Sequence, residues 1–141
     1  MHRLGWVVVG LALLEAGWLA FDGARALLVG DYFTPSSGPY AGQLGPWAKV
    51  VVAIGLEPRS TLVRAMHLGL GAGWLAVLAC YVRRIRWAWS GMLACAVLGL
   101  WYLPFGTLLS LAQVVLLSLP AVREGGTRGH PKPDPASGGS P

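Results

Sequence analysis

Glu15 is a carboxylate in the middle of an apolar run, Leu4–Phe21 (LGWVVVGLALLEAGWLAF). An acid at that depth in a bilayer is costly unless it faces a bundle interior or a cavity and finds a partner there. Two other strongly polar side chains sit at matching depth. Asp22, Ser60 and Gly106 mark the outer edges of three apolar segments, and Glu15, His67 and Gln113 each lie seven residues inside those edges. Seven residues of helix rise about 10 Å. The spacing predicts one intramembrane polar cluster of Glu15, His67 and Gln113. A Glu–His pair could relay a proton, because both groups change charge under physiological conditions when their surroundings tune them. The plainer expectation is that Glu15 is an interhelical hydrogen-bonding group and no more.

Other polar residues form two further sets. Trp18, Asp22 and Arg25 follow Glu15 at steps of three, four and three, which puts a polar seam along one helix face toward the outer surface. Arg64 can find a carboxylate only at Asp22, Asp31 or Glu57, so Asp22, Arg25 and Arg64 are expected in interfacial ion pairs that hold the loop down. The second set is Arg83, Arg84 and Arg86. No acidic residue occurs from Pro58 to Arg123, so anionic lipid headgroups are the natural counter-charge for these arginines. Cys80 and Cys95 lie at different depths and are expected to be unpaired. No phosphate loop, nucleophile elbow, zinc-ligand spacing or paired catalytic carboxylate occurs, so neither an enzymatic site, a cofactor nor a metal is expected.

The elements that must position these residues follow from composition. Of 141 residues, 55% are hydrophobic and 12% charged. Ordinary soluble domains carry about twice that charged fraction, and so short a chain cannot hide that much apolar surface from water. The expected fold is an all-α integral membrane bundle of four transmembrane helices, at about 4–28, 61–82, 87–102 and 104–121. The first is expected to be a retained span and not a cleaved signal, since it carries a glutamate and two tryptophans. The 36 residues from Trp87 to Val122 contain no charge. As one helix they would run about 54 Å, so Leu103-Pro104-Phe105-Gly106 must break them in two. Between the first and second spans lies a structured 31-residue outer loop, Gly30–Ser60, with an interfacial or re-entrant segment at about 46–56 (three consecutive valines leave a buried strand open). Small residues at Ala65, Gly69 and Gly73, and at Gly91, Cys95 and Gly99, are expected to permit close helix packing. The tail, 123–141, is rich in Gly and Pro and expected to be disordered.

Seven of the eleven basic residues fall on the side that would hold both termini and the Arg83–Arg86 turn. The positive-inside rule then puts both termini in the cytoplasm and the long loop outside, as in a multi-pass protein of the bacterial inner membrane. The basic balance is thereby a matter of topology and not of nucleic acid. The expected partners are the bilayer itself and a second copy or a larger membrane complex. Two roles are consistent with this pattern. One is a structural or accessory membrane component; the other is a small proton-coupled transporter using Glu15 and His67.

Overall fold

The computed structural model describes residues 3–127, all helix and connecting loop with no strand among them. The helices are α1 (Arg3–Val29), α2 (Trp47–Ala53), α3 (Thr61–Val82), α4 (Ala88–Gly99), α5 (Phe105–Ser118) and α6 (Pro120–Thr127). The expectation of a disordered tail covers 123–141: residues 123–127 belong to α6, and 128–141 lie outside the described residues.

Two helices, α1 and α3, are long and apolar enough to cross a membrane. At 27 and 22 residues they extend about 40 and 33 Å. The core helix of a water-soluble protein would be mostly buried. Here only 33% of the most apolar window of α1 and 28% of that of α3 are buried. Leu13, Leu14, Phe21, Leu28, Leu62 and Leu108 all face outward instead. That outward apolar surface suits lipid and not water. The other apolar helices are shorter: α4 has 12 residues and α5 has 14, or about 18 and 21 Å.

Local chemistry sets the boundaries. Gly30, at φ +96°, ends α1 in a left-handed conformation that glycine adopts without a Cβ penalty. Ser60 caps α3, its Oγ accepting from the Val63 N–H at 3.3 Å. Pro46 and Pro104 stand immediately before α2 and α5, and Pro120 opens α6, where a missing N–H costs nothing. At the C-terminal end of α3 the chain turns through Arg84 at φ +58°.

The long helices close a ring in the order α1, α3, α4, α5, each packed on the next and α5 back on α1. The α1–α3 pair is the tightest. A Cβ on Gly71 would overlap the Ala20 backbone, coming within 2.7 Å of its Cα and 2.8 Å of the Ala16 carbonyl oxygen; Gly23 stands equally close against Leu68 and His67. The small-residue face expected on α3 is a different one. Gly69 and Gly73 have open space around them, because at about 100° per residue they point away from the side that Gly71, Trp74 and Leu78 turn inward. On α4 the expectation holds better: Gly91 and Gly99 are both crowded by neighbouring side chains.

The core has two parts. Within the ring, Val8, Ala12, Leu19, Trp74, Met92 and Leu117 pack together. Above it, Tyr32, Trp47, Val51 and Val63 form a second cluster under the outer loop.

Because the α1–α3 contact is backbone on backbone, Gly71→Ala should cost about 1–3 kcal/mol of stability. Gly69→Ala should leave the melting temperature in detergent unchanged or slightly raised. Equal behaviour of the two variants in thermal unfolding would contradict this packing.

Candidate functional site

The ring places Glu15 where α1 meets the other helices. Its side chain is 2% exposed. Ser110 donates to Oε1 at 2.7 Å and the Gln113 amide donates to Oε2 at 2.8 Å. Ser110 and Gln113 are three residues apart on α5, so one helix face supplies both donors. Room for the carboxylate comes from two glycines. A Cβ on Gly99 of α4 would lie 2.7 Å from Oε1 and 2.8 Å from the Trp74 ring; one on Gly106 would lie 3.1 Å from Oε1. Side chains or backbone of α1, α3, α4 and α5 therefore converge within one small volume. The Gln113 Oε1 atom is buried with no hydrogen-bond partner among the described residues.

The structure joins Glu15 and Gln113 directly and directs His67 elsewhere. His67 is fully buried and holds the Val63 carbonyl through Nδ1 at 2.9 Å. That bond assigns the proton to Nδ1 and leaves Nε2 as an acceptor, and Nε2 has no partner among the described residues. Around the imidazole stand four rings: Trp47, Tyr32, Trp101 and Tyr102, at centroid distances of 4.6, 5.0, 5.2 and 5.9 Å. His67 is thus the centre of an aromatic cluster that seats the outer loop and α2 on the bundle. The Tyr32 hydroxyl is buried there without a hydrogen bond among the described residues, and burial pushes its pKa up to about 12.

The expected outer ion pairs take another form. Asp22 is buried and its Oδ1 accepts the Phe33 N–H at 2.7 Å. Arg25 donates to the Asp31 carbonyl at 2.9 Å, with its guanidinium 5.7 Å from the centre of the Phe33 ring. The Nε of Arg64 is buried without a hydrogen-bond partner among the described residues. The ion pair that ties the loop is Arg59–Asp31 at 3.0 Å, and Arg59 also donates to the Gly42 carbonyl at 2.9 Å. Arg59 lies just before the α3 cap and pairs with the loop directly, whereas Arg64, one turn into the helix, acts on Asp31 and Tyr32 by its charge. Arg83, Arg84 and Arg86 are exposed at the opposite end, and Cys80 and Cys95 are unpaired.

Ser110 was not singled out in the sequence, and Gly99 and Gly106 entered there only as a packing residue and a segment edge, not as parts of the Glu15 site. A hydroxyl three residues before Gln113 was the available signal for the first. The glycines signalled close approach but not the carboxylate for which they leave space.

Beside Glu15 opens a cavity of about 790 Å³. Its walls are Leu14, Trp18 and Asp22 of α1, Phe33 and Tyr40 of the loop, Trp47 of α2, and Tyr102 and Phe105 at the α4–α5 turn. Trp18 donates through its indole N–H to the Tyr102 hydroxyl at 3.1 Å, which bridges α1 to that turn. Among the described residues, no group of three or more His, Cys, Asp or Glu could hold a metal ion. No protein-family model, curated protein or solved structure matches this chain.

Two outcomes follow. In double-mutant cycles read by unfolding in detergent, Glu15→Gln and Gln113→Leu should couple by about 0.6–2 kcal/mol, while Glu15→Gln and His67→Gln should add within about 0.5 kcal/mol. The second concerns pH. Partial burial raises the Asp31 carboxyl slightly, but the Arg59 guanidinium and the Tyr32 N–H outweigh that and hold it below the ordinary carboxylate value. A lowered folded-state pKa stabilises the folded loop above the unfolded value and loses that stabilisation as pH falls through the folded one. Protection factors of loop amides should therefore fall below about pH 4, and Arg59→Gln should weaken that acid dependence, leaving the part that the Tyr32 N–H and Arg64 contribute.

Proposed function

We propose that this chain is a non-enzymatic, multi-pass protein of the bacterial inner membrane that holds a small ligand in an outward-placed cavity. Glu15 serves as the anchoring and proton-exchanging group. The observation that carries this reading is a buried carboxylate on the wall of a cavity of about 790 Å³. Cavities of about 300–1,000 Å³ with mostly apolar walls and a few convergent polar groups are the usual form of small-molecule sites. The charge pattern supports the orientation: both termini and the Arg83–Arg86 turn lie inside, with the loop outside. In this arrangement α4 and α5 complete a four-helix bundle whose outer end is filled by the loop. Arg83, Arg84 and Arg86 then meet anionic headgroups on the cytoplasmic side.

The proton-coupled reading takes Glu15 without His67 as a direct partner. His67 bears on the site through Tyr102, which touches both its ring cluster and the cavity. A second reading, as an accessory subunit of a larger complex, is favoured by the exposed small-residue face of α3, where Gly69 and Gly73 stand open.

Native mass spectrometry of the protein extracted in a mild detergent separates the two. The ligand reading expects a small-molecule adduct on the wild type that is lost from Leu109→Trp, a variant that fills the cavity. A stoichiometric protein subunit, with no adduct in either form, would favour the accessory role.

A further inference from the structure

We propose that the ligand of this cavity is an organic ammonium compound with a long apolar body, reached sideways from the outer leaflet through the seam between α1 and α5. The inference rests on the reading of the cavity as a ligand site and adds the class of ligand and its route.

Charge decides the head group. Two carboxylates, Glu15 and Asp22, line the cavity, and no Lys, Arg or His lines it. An anionic head would meet acceptors and no cation. The hydrogen bonds from Ser110 and Gln113 orient Glu15 but, coming from neutral groups, cannot neutralise it. A carboxylate away from bulk water either takes up a proton or is stabilised by a counter-charge; the cavity walls hold no cation, so a cationic ligand supplies the charge that keeps the acid ionised. Ring placement points the same way. On α1, Trp18 stands three residues after Glu15 and four before Asp22, so an indole is set between the two acids on one helix face. Trp47, Tyr102 and Phe33 add further rings to the walls. Aromatic faces attract a quaternary or primary ammonium through the ring quadrupole, most strongly where water is excluded.

Exposure decides the body and the route. Leu14 of α1 and Phe105 of α5 both line the cavity and are 65% and 74% exposed. They sit on the apolar flank of the bundle, which faces lipid in the orientation above, so the cavity opens onto acyl chains between two helices. The space, about 790 Å³, is also far more than a small ammonium head fills. A tail projecting past Leu14 and Phe105 would occupy it and remain in the membrane.

The test uses the 141-residue chain in nanodiscs of a glucosyl-diacylglycerol lipid, which carries no ammonium group, with binding followed by the change in tryptophan fluorescence. The probes are dodecyltrimethylammonium, tetramethylammonium and dodecanol. The expected result is saturable binding of dodecyltrimethylammonium at one site per chain, at least about tenfold tighter than either other probe, and weakened about tenfold or more by Glu15→Gln. If dodecanol binds as tightly as dodecyltrimethylammonium, the cationic class is overturned while the cavity remains a ligand site. If tetramethylammonium binds as tightly as dodecyltrimethylammonium, the lipid-side route and long body are overturned. Should no probe bind and no small-molecule adduct be found on the wild type, the ligand reading itself falls. The comparison among the three probes is made on the wild type, so it stands even if Glu15→Gln fails to fold.

Discussion

Keeping the Glu15 carboxylate away from water is the constraint around which the bundle is organised. A carboxylate taken out of water without partners costs several kcal/mol, so its surroundings must supply donors at short range and in the right direction. Ser110 and Gln113 do so from one face of α5. They can reach only because Gly99 and Gly106 leave the volume that a side chain would occupy. Close approach of α1 and α3 through Gly23 and Gly71 then fixes the height of α1, and with it the depth of the carboxylate. The glycines are therefore placed by the acid's needs as much as by helix packing. A bundle with larger residues at those positions would push α5 away and leave the carboxylate without donors.

The same geometry explains why His67 is not Glu15's partner although both lie at similar depth. Depth is one coordinate, and the direction in which a side chain leaves its helix is another. On α3, His67 shares a face with Val63, Gly71 and Trp74, and at that level the face meets the loop and the α4–α5 turn. Its Nδ1–H finds a carbonyl one turn back on its own helix, a local bond that needs no second helix. The aromatic rings then exclude water from the remaining face of the imidazole. His67 has become a packing centre with one polar atom left over.

What could be read from the sequence, and what could not, divides along this line. The break at Leu103–Gly106, the Ser60 cap and the limits of the long helices followed from residue chemistry that acts within a few positions. The Glu15–Gln113 meeting followed from the cost of burying polar groups, which leaves few alternatives. The orientation of helix faces was less accessible. A stripe at Ala65, Gly69 and Gly73 is as small as one containing Gly71, and nothing local separates the face that meets α1 from the face left open. For the loop, the sequence pointed to Arg64 as the partner of Asp22, Asp31 or Glu57, and the pairing of Asp31 with Arg59 depends on how the loop folds back on the start of α3. The aromatic seat of the loop joins Tyr32, Trp47, Trp101 and Tyr102 across three segments. Such a cluster has no spacing by which it could be recognised.

The cavity itself follows from a mismatch of lengths. With α4 and α5 rising only about 18 and 21 Å beside a 27-residue α1, the tip of the α4–α5 hairpin stops well short of the outer end of α1. The loop covers its backbone and rings: α2 lays Trp47 against Tyr102 with the ring planes 22° apart, and against Trp101 edge to face. A loop can cover a hairpin tip, but it cannot pack as densely as a continuous helix would. Its glycines and prolines, Pro35, Gly45 and Pro46, line the remaining space together with the upper half of α1. The carboxylate lies beside that space because the shortness of α5 brings its first turns, with Gly106 and Ser110, down to the level of Glu15. Short helices, covering loop, cavity and buried acid are in this sense one arrangement. Lengthening α4 and α5 to match α1 would close the cavity and carry the acid's donors out of reach.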